Sequence, residues 1–484
     1  MKKLIIFVSF FVIASSCQKL EDLNENTKDP ELVSGESLFT GAQKNIVDQM
    51  VSTNVNNNVF RLFAQQWTET TYIDESIYDL VKRSVPDNHW DVIYRDVLKD
   101  LKSSAELINK TSYPTDASPL IKTNKLAIVE IMSVYSWGVL VETFGNVPYT
   151  QALDASVQLP KYDDGLTIYK DLIVRLNAAI TKLNLGVGSF EAADNMYYGD
   201  TEKWFKFANS LKLRMAMLLA DVDPSLSKAT AESASLNLIS SNADNASMVY
   251  LNASPNTNPL YSDLIASGRH DFVPANTFVD VMNGLNDPRL ALYFTQIDTS
   301  SVEGVEKLAY VGGVYGAKNS YSKYSHFTER ILDPTFEGTI LDYSEVEFLL
   351  AEAVERGYAV GGTAESHYNN AITASIEYWG GTSADATAYL ATTAVNYSTA
   401  TGDYKEKIGM QKWIALYNRG FEAWTDWRRF DYPALVAPED ALSGIPVRYT
   451  FPIAEQTLNG ANYGAASSAI HGDRVETKLF WDLY

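Results

Sequence analysis

The chain has 484 residues, is 46% hydrophobic and 12% aromatic, and carries a formal net charge of −21. Such a charge repels nucleic-acid phosphates and anionic lipid headgroups, which excludes DNA, RNA and a polybasic membrane patch as partners. A single cysteine, Cys17, leaves no disulfide to hold the fold, so stability must come from a large apolar core.

The amino terminus reads as an export signal. Lys2 and Lys3 precede an apolar run from Leu4 to Ile13, then the small residues Ala14, Ser15 and Ser16. The run is about half the ~20 residues needed to span a bilayer. The stretch Ile13-Ala14-Ser15-Ser16-Cys17 resembles a bacterial lipobox, which implies residues 1–16 as a cleaved signal and Cys17 as the lipidated first residue of the mature chain. Residues 17–35 then read as a polar tether. Its Asp22, Asn24 and Asn26 alternate like a calcium loop, but Thr27 stands where glycine is needed and Val33 where glutamate is needed, so the EF-hand reading fails. No later apolar run is expected to cross a membrane, which leaves the lipid as the only membrane attachment.

Helical periodicity dominates from Ser37 to about residue 222. Helices are expected over Ser37–Phe63, diluted by "NVNNN" at 54–58, over His89–Leu107, and over Lys122–Phe144, which is apolar on most sides. Two more amphipathic helices come at Leu166–Leu183 and Thr201–Leu219. Residues 240–335 change character, with abundant Asn, Ser, Gly, Pro and Tyr, and read as an ordered, loop-rich block. Helices return at Ser344–Gly357 and Ala364–Trp379, a hairpin of about tetratricopeptide length, and at Lys405–Phe430. The tail, 431–484, is loop-rich again. The expected fold is therefore mostly α: one domain over 36–484, with a scaffold of helical hairpins at about 37–222 and 341–430 and irregular segments between and after.

Chemistry-bearing motifs are sparse. The five histidines, His89, His270, His326, His367 and His471, form no H-E-x-x-H, and the H-x-D pairs at His89 and His471 are weak metal signals. No nucleophile elbow or phosphate loop is present. No cofactor is expected. "FEAWTDWRRF" (421–430) reads first as a helix seam with ion pairs, and "LNDPRL" (285–290) as a turn fixed by Pro288 and capped by Asp287.

Four stretches together resemble the SusD/RagB family of surface nutrient-binding lipoproteins, in its SusD-like 2 subgroup. They are the lipobox followed by "DLNEN", "SWGVLVETFGNVPYTQAL" (136–153), "NPLYSDLIASGRHDFVPANTFVDVMNGLNDPRL" (258–290), and "NRGFEAWTDWRRF" (418–430) with "VRYTFPIAEQTLNGANY" (447–463) and the ending "KLFWDL". The resemblance implies tetratricopeptide-like hairpins as a scaffold and an irregular half that carries the ligand surface. It also implies lipid anchoring at the outer membrane, facing the cell exterior, and a SusC-like TonB-dependent transporter as partner. The ligand would be an oligosaccharide or a peptide, bound without catalysis. The rival readings are a surface-anchored glycoside hydrolase and a structural subunit with no ligand of its own.

Sugars present apolar faces that stack on aromatic rings and hydroxyls that pair with planar polar groups. Two regions combine both. The first, 65–83, offers Trp67, Tyr72, Asp74, Tyr78 and Arg83. The second, in the central block, offers Tyr261, Arg269, Tyr315, Tyr321 and Tyr324.

Overall fold

The computed structural model describes residues 33–112, 118–299 and 307–484. The signal, the lipobox with Cys17 and nearly all of the proposed tether lie outside the described residues.

Among the described residues, nine helices carry the frame: α1 (Gly35–Val51), α2 (85–110), α3 (Ser118–Phe144), α4 (Gly165–Lys182), α5 (Thr201–Leu218), α6 (Tyr343–Glu355), α7 (Ala364–Tyr378), α8 (Tyr404–Ala415) and α9 (Gly420–Phe430). Their starts are written in the sequence. Ser34, Asp164, Asp200, Asp342, Thr363 and Asp403 each accept a hydrogen bond from a backbone N–H of the first turn, as N-cap residues do. The helices pack in succession, α1 on α2, α2 on α3, α3 on α4, α4 on α5, α5 on α6, and α6 on both α7 and α8. The α6–α7 hairpin is the one expected at Ser344–Gly357 and Ala364–Trp379.

Several boundaries differ from those expected. The first helix ends at Val51 because Asn54 and its neighbours form a turn; Asn54 Oδ1 accepts from the Asn56 backbone at 3.0 Å. The α2 rod contains a wider π turn over Val92–Leu98. The expected helix 405–430 is two, broken where Asn418 takes φ 69°. The break lets α9 lie against the short helix Phe60–Phe63, and Gly420 makes the approach possible, since a Cβ there would meet the Arg61 backbone nitrogen at 2.5 Å. Helices Pro224–Ala234, Asn276–Leu285, Ser383–Leu390 and Gly460–Ala469 add to those expected. The expectation about apolar runs is also corrected. Pro119–Phe144 is long and apolar enough to cross a membrane, but 89% of its most apolar window is buried inside the protein, as in a core helix.

The interior explains the most conspicuous motif. Trp424 is fully buried, stacks on Phe60 at 5.1 Å, and donates its Nε1–H to the Pro446 carbonyl at 2.7 Å. The Arg428 guanidinium lies 3.4 Å from the Trp424 ring centroid. Arg429 pairs with Glu352 at 2.6 Å and with Asp426 at 2.8 Å, and Lys412 reaches Asp426 at 2.6 Å. At the start of the same helix, Arg419 pairs with Asp342 at 3.0 Å and with Glu345, which Arg214 also grips at 2.7 Å. "FEAWTDWRRF" is thus a seam, not a sugar platform. "LNDPRL" is equally structural: Arg289, fully buried, binds Asp287 at 2.6 Å, Gln411 at 2.9 Å and Ser375 at 3.1 Å, fastening the central block to α7 and α8.

Candidate ligand-binding face

The two expected ligand regions are far apart in sequence, and a short ladder joins them. Strand Trp67–Glu69 pairs antiparallel with Phe272–Pro274, Trp67 opposite Pro274 and Glu69 opposite Phe272. Beyond the ladder the pairing continues through Thr70, whose N–H donates to the Asp271 carbonyl at 2.9 Å and whose hydroxyl donates to the His270 carbonyl at 2.6 Å. Asn319 clamps the third segment, donating its backbone N–H to Thr70 O at 2.8 Å and its side-chain amide to Glu69 O at 3.0 Å.

Where these segments meet, a cleft of about 260 Å³ opens between Thr53, Asn54, Val55, Asn56, Glu69, Tyr72, Arg83, Asp263, Ser267, Arg269, Asp271 and Phe272. Tyr72 stands out at 58% exposure, an uncovered ring at the edge of a polar cleft. The Arg269 guanidinium lies 5.8 Å from its centroid and also pairs with Asp271. Arg83 is held by Glu75 at 2.6 Å and by Asp74 at 3.4 Å, and Asp74 in turn takes Lys82 at 2.8 Å. Outside the lining, Tyr321 is sandwiched between His270 at 4.2 Å and His326 at 3.9 Å, three nearly parallel rings.

Of the residues expected from sequence, Tyr72, Arg83 and Arg269 line this cleft, Asp74 stands behind Arg83, and Tyr321 belongs to the adjacent ring stack. Tyr261 and Tyr324 are half-buried and outside its lining. Three expectations are corrected by burial. Trp67 is fully buried and stacks on Phe327 at 4.0 Å. Tyr78 is buried, with its hydroxyl accepting from Gln65 at 3.3 Å, and Tyr315 is buried, with its hydroxyl donating to the Leu62 carbonyl at 2.7 Å. These three rings fasten the loops to the core and leave the ligand surface to others. Sequence reasoning misses Asn54, Asn56 and Ser267. The amide run "NVNNN" is the available signal, and along the chain it shows only as a weakness in the first helix.

Glu69, which lines the cleft, forms a carboxyl pair with the buried Glu75 behind it. Glu69 accepts from Ser76 N–H at 2.9 Å and its hydroxyl at 2.8 Å. Burial, then the neighbouring Glu75, push the Glu69 carboxyl well above its ordinary range; burial also raises Glu75, with the Arg83 contact opposing. Asp263 is also pushed up by burial, partly offset by hydrogen bonds from the Thr53 backbone and the Ser52 hydroxyl. Of the two H-x-D histidines, His89 is fully buried against Phe60, Phe144 and Tyr449, which depresses it to about 3. Asp473, the partner of His471, is occupied by Arg448 at 2.6 Å. Among the described residues no group of three or more His, Cys, Asp or Glu side chains is placed to hold a metal ion.

The whole fold is shared with solved structures. One described as a chitin-binding protein is 27% identical, with a TM-score of 0.80, covering 93% of this chain and 100% of that one. A SusD homolog from Bacteroides uniformis ATCC 8492 is 25% identical, with a TM-score of 0.75, covering 92% and 99%. A chitin-binding SusD homolog from Flavobacterium johnsoniae is 23% identical, with a TM-score of 0.74, covering 92% and 98%. No curated protein matches the chain. Over residues 27–452 it matches the model of the SusD-like 2 family, described as "Starch-binding associating with outer membrane", and the chain belongs to that family.

Proposed function

We propose that this protein is a non-enzymatic receptor that captures oligosaccharides at the outer-membrane surface and presents them to a SusC-like TonB-dependent transporter. The observation that carries the reading is the exposed Tyr72 ring over a cleft of amides, carboxyls and arginines. A ring face takes the apolar side of a pyranose while the planar polar groups take its hydroxyls. The similarity to a chitin-binding protein puts β-linked N-acetylglucosamine oligomers first among the ligands, with α-glucans next. Lipid attachment at Cys17 supplies the anchor, and Glu21 and Asp22 act as the tag for display on the cell exterior.

The test is titration calorimetry with chitooligosaccharides and maltooligosaccharides. The wild type binds one of these series, and Tyr72→Ala weakens that binding about tenfold. An unchanged affinity in Tyr72→Ala removes the cleft from the reading. Release of shortened sugars by the wild type favours the rival glycoside hydrolase, and no binding by any oligosaccharide favours the structural subunit. Cys17→Ala is expected to leave the outer-membrane fraction for the soluble one without loss of fold; retention there after a salt wash overturns the anchor.

A further inference from the structure

Beside the cleft of Tyr72 lies a second, of about 350 Å³, lined by the outward face of α1, the turn that follows it, Val92 and Asp96 of α2, and the segment 255–263. Its walls mix the apolar Val92, Pro255 and Pro259 with polar side chains. Lys44 pairs with Asp48 one helical turn on, Tyr250 donates its hydroxyl to Asp48 at 2.7 Å, and Asn45 donates its amide to the Asp96 carbonyl at 3.1 Å. Thr257 and Ser262 face each other through their hydroxyls at 3.2 Å. The lining runs along α1 from Lys44 to Ser52, about 12 Å at 1.5 Å per residue.

The two clefts share Asn54 and Asp263. Asp263 sits where the two meet. Each cleft alone is near the lower end of the ~300–1,000 Å³ typical of small-ligand sites. The two adjoin at Asn54 and Asp263, with the exposed Tyr72 ring on one side and Lys44 and Asn45 on the other.

We propose that the cleft along α1 is a second subsite of the binding groove, so that the ligand is a sugar chain laid across Asn54 and Asp263 and not a single ring seated on Tyr72. This inference rests on the oligosaccharide reading and extends it. The Tyr72 end supplies stacking, and the α1 end supplies hydrogen bonds to hydroxyls or acetamido groups further along the chain. Recognition then depends on chain length, and the two ends contribute in different ways.

The experiment compares disaccharide and hexasaccharide affinity, for chitooligosaccharides and maltooligosaccharides in parallel. In the wild type the hexasaccharide binds about tenfold tighter than the disaccharide, the worth of one or two added hydrogen bonds. Lys44→Ala, which removes a donor from the α1 end, and Ser262→Trp, which fills that cleft, each reduce the ratio to below about twofold. The ratio is taken within each variant, so a change in folding does not imitate the result. Sugars that bind with no gain on lengthening, or variants that keep the wild-type gain, overturn the second subsite while leaving the receptor reading intact. Failure of both series to bind at all overturns the receptor reading and the second subsite with it.

Discussion

The guanidinium of Arg269 rests 5.8 Å from the centre of the Tyr72 ring, so the central block holds the exposed aromatic of the early loop. Arg269 is itself steadied by Asp271, the residue whose carbonyl receives Thr70 N–H. Replacing Arg269 by alanine frees the ring to rotate while leaving the ladder beneath it intact. Oligosaccharide affinity is expected to fall about three- to tenfold, as when one cation–π contact and its preorganisation are lost. The melting temperature is expected to stay within about 1 °C, because the pair is solvent-exposed. Calorimetry and thermal denaturation of the same sample separate the two effects.

Glu345 lies at the opposite extreme of burial. Burial alone would raise its carboxyl, but Arg214 and Arg419 outweigh that and hold it well below the ordinary value of 4.5. A carboxyl depressed on folding contributes stability that is full above its unfolded pKa and drains away as pH falls through the folded one. Glu345→Gln removes the carboxylate that Arg214 and Arg419 share, leaving Arg419 to Asp342, and is expected to cost about 3–5 kcal/mol at neutral pH. The gap between wild type and variant should narrow as pH falls below about 4.5. Urea denaturation at a series of pH values reads both; a gap that widens in acid contradicts the assignment.

Glu69 gives the opposite sign. Its carboxyl is raised by burial and by Glu75, so on raising the pH the folded state keeps its proton longer than the unfolded chain does. The associated stability is present below the ordinary carboxyl pKa and is lost as pH rises. Glu69→Gln copies the neutral form and should melt progressively higher than wild type as pH goes from about 5 to about 8. Parallel melting curves across that range would show that the pair is ionised in the native protein.

Charge in the cleft points to an uncharged ligand. Arg83 is matched by Glu75 and Asp74, and Arg269 by Asp271, within a chain of net charge −21. Neither arginine is left over for a uronate or a sulfate. A neutral sugar chain that binds should do so at least about tenfold more tightly than a galacturonate oligomer of equal length. Preference for the acidic oligomer at low salt would contradict this.

The helices were legible because their apolar spacing and N-cap residues are local signals. Asp164, Asp200 and Asp342 mark starts within a residue or two of those expected. The structural role of "FEAWTDWRRF" was legible for the same reason. The binding face was legible by region and not by residue. Which ring faces solvent is decided by the pairing of 67–69 with 272–274 and by the packing of Tyr78 and Tyr315 beneath the loops, contacts that span long stretches of chain. Strand 67–69 is buried at every position, so no alternation marked Trp67 as an inward ring. Asn54 and Asp263 escaped because their importance lies in joining two clefts built from different segments.

The ladder of Trp67–Glu69 with Phe272–Pro274 reaches the cleft only at its last rung, Glu69 and Phe272, while the exposed side chains Asn56, Tyr72, Ser267 and Arg269 lie beyond its ends. Register is fixed by buried residues, while recognition is left to tips that bear little of the folding energy. The frame behaves like a tool holder: substitutions at the exposed tips are expected to leave the buried grip undisturbed.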